Sequence, residues 1–396
     1  MNKDALKKHH PSCNRRRRVL IYLDSIAFGG HEVTLLEAVR GLAQETELSV
    51  FLLAPQRNQQ LLSQLNELHE RVTVIEHGFQ TEPGDVFRVL CRSGKVRRLR
   101  QAMLHLRPDF VIVSQGAVAL SACGLGAARL ADIPLMSFLP MAHPVALVRG
   151  CKTLAARLQE QLYRRLYALP DYFFTICTTA AQQLHELHKV PRDRIFVQYF
   201  GLDYDRRQPL VLPEKKDKTK KHLALIGRIE LQQKRHDFFL RCWAAHKNEL
   251  PPLHVHIIGD GPDRKKLEQL AAALHLRELI SFTGWLDDLA AWYQRLDAVL
   301  LPSRFEGVPV VLLEAMRWGV PVAASNVDGM AELLPEEWLF PADDGREMIR
   351  CVQHILINEQ KQHLLRNRRL VDSMDTAAFR KGFCQAVQSC LEQRKS

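Results

Sequence analysis

None of the nine cysteines in this 396-residue chain forms a C-x-x-C pair. An odd, scattered set of thiols argues against a disulfide framework or a zinc site and suits a reducing cytosolic compartment. The opening residues, MNKDALKKHHPSCNRRRRVLIYL, are charged and polar, with no small-residue cleavage site after VLIYL. No secretory signal is expected there. The longest run without a charge, Phe110–Ala128, contains Ser114, Gln115, Ser121 and three glycines. It is expected to split into a buried strand, FVIVS, and a small-residue helix, and not to form a membrane span. Asp287-Asp288 and Asp343-Asp344 come nearest to a metal-binding pair, but loop and helix-cap roles are expected for them. IGDGP carries one G-D-G turn without the rest of a dinucleotide fingerprint. The base-reading or stacking elements of a nucleic-acid-binding protein are missing too.

What is present is ordinary in amount, with 46% hydrophobic and 25% charged residues, and long enough for two domains. The excess charge of +11 is uneven, since residues 1–18 hold seven Lys or Arg against one Asp. Such a tail suits an anionic surface or serves only as a solubilising arm. From VLIYLDS onward, β-rich runs alternate with helical patterns, which indicates parallel sheets joined by crossover helices. The series pauses at the polar, proline-bearing stretch RRQPLVLPEKKDKTKK (206–221) and resumes at HLALIGRI. The expected organisation is a basic disordered tail (1–17), an α/β domain (18–207), a linker (208–221) and a second α/β domain (222–375). A C-terminal helix (376–396) is a candidate to pack back on the first domain. Ligands of open parallel sheets sit beyond the carboxyl ends of the strands, so the central cleft between two facing Rossmann-like domains is the expected site.

Residues 303–325, SRFEGVPVVLLEAMRWGVPVAAS, place two glutamates in a nearly apolar stretch. Pro309 fits a first helical turn and Gly319 a helix end, so VVLLEAMRW reads as a buried helix. Glu314 has one simple internal explanation, an i, i+3 pair with Arg317. Glu306 has none; it stands in the turn before the helix, where the amides of Gly307, Val308 and Val310 favour an anion or a hydroxyl-rich ligand. Two carboxylates so placed can grip two parts of a polyhydroxyl molecule. Arg228 and Lys234, after the strand HLALIG, suit a pyrophosphate.

Together these segments resemble the retaining glycosyltransferases of family 4, built on the GT-B fold. The signature E-x7-E runs from Glu306 to Glu314, and IGRIELQQKRHD matches the Gly-Arg…Lys segment. VHIIGDGP, ISFTGW, SNVDGMAELL and LFPADD follow in the family's order. In the N-terminal half, Gly29-Gly30 and FGLDYD match. The resemblance implies that Arg228 and Lys234 hold the diphosphate of a UDP- or GDP-sugar and that Glu314 takes the ribose hydroxyls. Glu306 and the amides of Gly307, Val308, Val310 and Val311 would face the sugar and phosphate, with Trp285 near the base and Gly30 near the phosphates. It implies no metal and no other cofactor. Three positions depart from the pattern: Phe200 replaces asparagine, Arg235 replaces glycine, and Pro140 stands near the expected histidine. His143, three residues later, is the candidate equivalent.

The expected function is retaining transfer of a sugar to a glycan or lipid-linked acceptor, in polysaccharide or lipopolysaccharide synthesis. The alternatives are a nucleotide-sugar 2-epimerase of the same fold and a nucleic-acid-binding protein that uses the basic arm. Two more basic segments, CRSGKVRRLRQAMLHLR and ALVRGCKTLAARLQEQLYRRLYAL, add a leucine stripe, Leu154, Leu158, Leu162 and Leu166, flanked by cations. A cytoplasmic enzyme attached peripherally to an anionic membrane surface is expected. The competing reading buries the stripe in the core.

Overall fold

The computed structural model describes residues 16–68, 70–150, 153–202, 219–286 and 288–393. The basic tail before residue 16 and most of the linker lie outside them. Two parallel sheets organise the chain. The first has seven strands: β1 (Arg17–Tyr22), β2 (Leu48–Pro55), β3 (Val72–His77), β4 (Phe110–Ser114), β5 (Leu135–Phe138), β6 (Tyr172–Thr175) and β7 (Ile195–Val197), in the order β3-β2-β1-β4-β5-β6-β7. The second has six: β8 (Lys221–Ile226), β9 (Leu253–Ile258), β10 (Ile280–Gly284), β11 (Ala298–Leu301), β12 (Val322–Ser325) and β13 (Leu339–Phe340), in the order β10-β9-β8-β11-β12-β13. In both sheets the order reverses beside the first strand, leaving a crevice at the carboxyl ends there. Two such α/β domains are what the resemblance implies.

The period-two alternation of a strand explains how β1 is held. Val19 and Ile21 enter one buried cluster and Leu20 and Tyr22 another, on opposite faces of the sheet. Phe110–Ser114 is buried throughout and the helix Ala122–Leu130 follows it, as expected of a strand and a small-residue helix. No described helix is long and apolar enough to cross a membrane.

The helix Thr376–Glu392 leaves the second domain and packs on the helix Gly30–Gln44 of the first. Arg380 donates to Glu37, with Nε 2.8 Å from Oε2, and Phe383 meets Phe138 and Phe174 edge-on. Phe200 packs edge-on against Phe379 at 5.4 Å, buried at the base of this junction. An apolar side chain at this departure from the family pattern therefore serves the seam between the C-terminal helix and the first domain.

Candidate active site

The site is built from loops at the carboxyl ends of β8 and β11, facing the first domain. After β8 the chain turns at Gly227 and presents Arg228, and the short helix Leu231–Lys234 follows. The turn after β9 braces this loop: a Cβ on Gly259 would lie 2.1 Å from the Gly227 carbonyl oxygen, and Gly259 has φ +136°. Only glycine satisfies both demands. IGDGP is thus a support for the Arg228 loop. Arg235, which ends the short helix, has φ +55°, a region where glycine is the easier residue. Its guanidinium is fixed by the Ala342 carbonyl at 2.5 Å and Asp343 at 2.7 Å, and it lies 4.0 Å from the Phe238 ring.

After β11, residues 302–309 form the turn and the helix runs Val310–Trp318. Pro309 is the N-cap, with φ −62° and ψ 129°, one residue before the helical position expected of it. Gly319 closes the helix at φ +66°. At the start of a helix the first amides lack intrahelical acceptors. Those of Val310 and Val311 therefore begin the helix next to Gly30, on which an added Cβ would come within 3.3 Å of the Val310 side chain.

Lys234 and Glu306 are brought into direct contact, with Nζ 2.5 Å from Oε1. Glu306 is only 6% exposed, so its carboxylate needs this partner. Glu314, half-buried in the helix, accepts from the Tyr293 hydroxyl at 2.8 Å. Arg317, the partner that spacing alone offered, pairs instead with Asp372 on the helix Lys361–Ser373. Arg228 is half exposed, 3.7 Å from Glu230, and its charge reaches Glu32 across the cleft. Trp285 stands 48% exposed after β10, the edge strand two places from β8, and so at the periphery of the group.

The opposing wall comes from the first domain. His143 lies in the loop after β5, with Nε2 3.3 Å from the Glu306 carbonyl oxygen and 3.2 Å from Oδ2 of Asp328. Gly307 packs against the Pro140 backbone. Glu32, in the first turn after the glycine loop, is also buried, and His31 beside it is half-buried. Burial pushes His31 down to about 4, and burial raises the Glu32 carboxyl against the opposing hydrogen bond from Ser25. Neither residue stood out in the sequence, since HEVTLLEAVR reads as an ordinary amphipathic helix. A buried acid beside the glycine turn was the available signal.

Further along, Glu332 reaches between the domains. It accepts from the amide of Thr179 at 2.6 Å, the amide of Thr178 at 3.2 Å, both threonine hydroxyls and the Tyr199 hydroxyl. Burial alone would raise its carboxyl, but these hydrogen bonds hold it below its ordinary value. Of the paired acids, Asp344 caps the helix Gly345–Ile357 and Asp288 accepts from the Ala290 amide, while Asp287 lies outside the described residues. Among the described residues no group of three or more His, Cys, Asp or Glu is placed to hold a metal ion.

Comparison with known proteins places both halves. The family model for Glycosyltransferase Family 4 matches residues 28–206, and the one for Glycosyl transferases group 1 matches residues 220–358. A glycosyltransferase of Haemophilus influenzae, itself uncharacterized, is 28% identical over 148 residues, 36% of this chain and 41% of that protein. The putative colanic acid biosynthesis glycosyltransferase WcaL of Escherichia coli is 27% identical over 197 residues, 47% of this chain and 48% of that one. The chain thus spans less than half the length of these two curated relatives. Among solved structures, the lipopolysaccharide outer core galactosyltransferase WaaB superposes with a TM-score of 0.67 at 18% identity, covering 94% of this chain and 99% of its own. Anabaena Alr3699/HepE, solved with UDP and glucose, gives 0.70 at 16% identity, covering 94% and 100%. At such identities the structural likeness is one of fold. With one family model on each parallel-sheet domain, the chain belongs to the glycosyltransferase superfamily.

Proposed function

We propose that this protein moves a sugar from a nucleotide-sugar donor to a hydroxyl of a glycan or lipid-linked acceptor, with retention at the anomeric carbon, in cell-surface polysaccharide synthesis. The observation that carries this reading is the meeting of Lys234 and Glu306 at the start of the helix Val310–Trp318, with Arg228 on the adjacent loop. Negative charge develops on the departing diphosphate, and two cations plus unpaired helix amides stabilise charge at that position. Glu314, already an acceptor for one hydroxyl, suits the ribose. Glu306 is occupied by Lys234, so attack from the front face with help from the leaving phosphate fits better than a covalent nucleophile. The protein's own cations supply the counter-charge, and no metal is needed. UDP-sugars are the first donors to try, since the Anabaena neighbour was solved with UDP and with UDP-glucose. Screening UDP- and GDP-sugars for transfer and hydrolysis in excess EDTA, with NMR of the product anomer, tests the reading. An inverted product, or strict dependence on a divalent ion, would overturn it. Conversion of the donor alone into its 2-epimer would establish the epimerase instead.

We further propose peripheral attachment to an anionic bilayer. Leu154 and Leu158 are 72% and 60% exposed, with exposed Arg157 and Arg164 on the same helix, Leu154–Tyr167. Leu166 is buried, so only the first half of the stripe is free to meet lipid. Exposed leucines beside cations match the headgroup boundary of an anionic membrane. Co-sedimentation with phosphatidylglycerol vesicles at low salt tests this, and Leu154→Glu/Leu158→Glu should abolish it. Absence of binding by the unaltered chain would leave a soluble acceptor.

A further inference from the structure

Asp328 is a buried aspartate with φ +48°, a conformation that only glycine adopts freely. Such a residue persists when its surroundings over-determine it. Its carboxylate fastens three groups. Oδ2 accepts from the Glu306 amide at 2.8 Å and lies 3.2 Å from His143 Nε2, while Oδ1 accepts from Gln183 Nε2 at 3.1 Å. Glu306 belongs to the second domain; His143 and Gln183 belong to the first.

The histidine is the informative partner. Both oxygens near its Nε2, the Asp328 carboxylate and the Glu306 carbonyl, are acceptors, so Nε2 carries the proton. Its other nitrogen, Nδ1, is buried and has no hydrogen-bond partner among the described residues. A proton there would be a buried donor without an acceptor, whereas a bare lone pair costs less.

We propose that Asp328 is a positioning residue that locks His143 as the Nε2–H tautomer and so fixes its ring against the Glu306 backbone across the domain boundary. The catalytic consequence rests on the glycosyl-transfer reading; the tautomer itself does not. The carboxylate performs this from the second domain on a ring of the first, so the ring is fully set only when the two domains meet. No bond is made or broken at Asp328, and its proton balance is unchanged through the reaction.

The test uses the full chain labelled with [15N]histidine, the His143 signals being assigned by their loss in His143→Gln. In the unaltered protein the His143 ring should show a protonated Nε2 and an unprotonated Nδ1. Asp328→Gly, which accepts the φ without strain, should give the mixed shifts of an untethered ring. Asp328→Asn keeps one carbonyl acceptor and should retain most of the single tautomer. In turnover with the active nucleotide sugar, Asp328→Gly should lower kcat about 10- to 100-fold with the donor KM within about threefold. It should cost nothing further in a His143→Gln background. An unchanged tautomer in Asp328→Gly, or additive losses in the double variant, would overturn the proposal. If no nucleotide sugar is turned over, the transferase reading fails alone, and the nitrogen spectra still decide the role of Asp328.

Discussion

Lys234 Nζ and Glu306 Oε1 stand 2.5 Å apart, so each neutralises the other until a ligand enters. A diphosphate arriving here does not meet a bare cation. It joins a pair in which the lysine gains a second anion and the glutamate must turn to hydroxyls.

Lys234→Ala should therefore act twice. It should weaken UDP binding about 10- to 100-fold, as loss of a charge-assisted contact does. It should also lower stability by roughly 3 kcal/mol, because Glu306 is left buried without its partner. Adding Glu306→Gln should restore the melting temperature without restoring binding, measured by calorimetric titration and thermal unfolding. Equal recovery of both would mean that the pair only supports the fold.

Glu314→Ala should leave the protein folded and reduce turnover roughly 10²- to 10³-fold. UDP and UMP should both bind more weakly, and inorganic pyrophosphate as before. Tyr293→Phe, which removes the hydroxyl 2.8 Å from Glu314, should raise the donor KM only a few-fold. A large fall in melting temperature with turnover per folded molecule intact would make Glu314 a structural residue.

Stability should fall as the medium is acidified from about pH 6.5 towards pH 4. Burial holds the folded-state His31 at about 4, against about 6.5 in the unfolded chain. The unfolded state therefore binds the proton first. The stabilising effect is complete above about pH 6.5 and is lost as pH falls towards 4, by on the order of 3 kcal/mol for this one ring. Urea titrations across that range should show a shallower decline in His31→Gln. An identical slope would exclude His31 as a contributor.

Glu332→Ala removes the carboxylate that accepts from the amides and hydroxyls of Thr178 and Thr179. Small-angle scattering should report a larger radius of gyration for the variant without ligand, and UDP should reverse part of the change. An unaltered scattering profile would mean that the remaining contacts hold the domains together by themselves.

Much of this molecule could be read in advance. Twelve of the thirteen described strands coincide with β-rich runs visible in the sequence, and β1, buried on both faces from Val19 to Tyr22, shows why a strand of a covered parallel sheet can be apolar throughout. The thirteenth, Leu339–Phe340, is two residues long, too short for any pattern to emerge. Spacing brought out Glu306 and Glu314 because a carboxylate among apolar residues demands a partner, but it offered Arg317, which the fold commits to Asp372 on a helix 55 positions later. Glu32, Asp328 and Glu332 were opaque for one shared reason. Each draws part of its meaning from groups on the opposite domain, Arg228 for Glu32, His143 and Gln183 for Asp328, and Thr178, Thr179 and Tyr199 for Glu332, and no local periodicity records such contacts. His143 was visible only as a departure from a pattern, and its partner Asp328 not at all.

The backbone crosses between the domains twice, once between β7 and β8 and again ahead of the helix Thr376–Glu392. These crossings touch: a Cβ on Gly201 would lie 2.1 Å from the Met374 carbonyl oxygen and 2.8 Å from the Asp375 carbonyl carbon. Two threads in contact at one point form a pivot. Sliding of one half past the other would break that contact, whereas rotation about it would not. An opening of the cleft that keeps the contact is widest at the edge farthest from Gly201 and Met374.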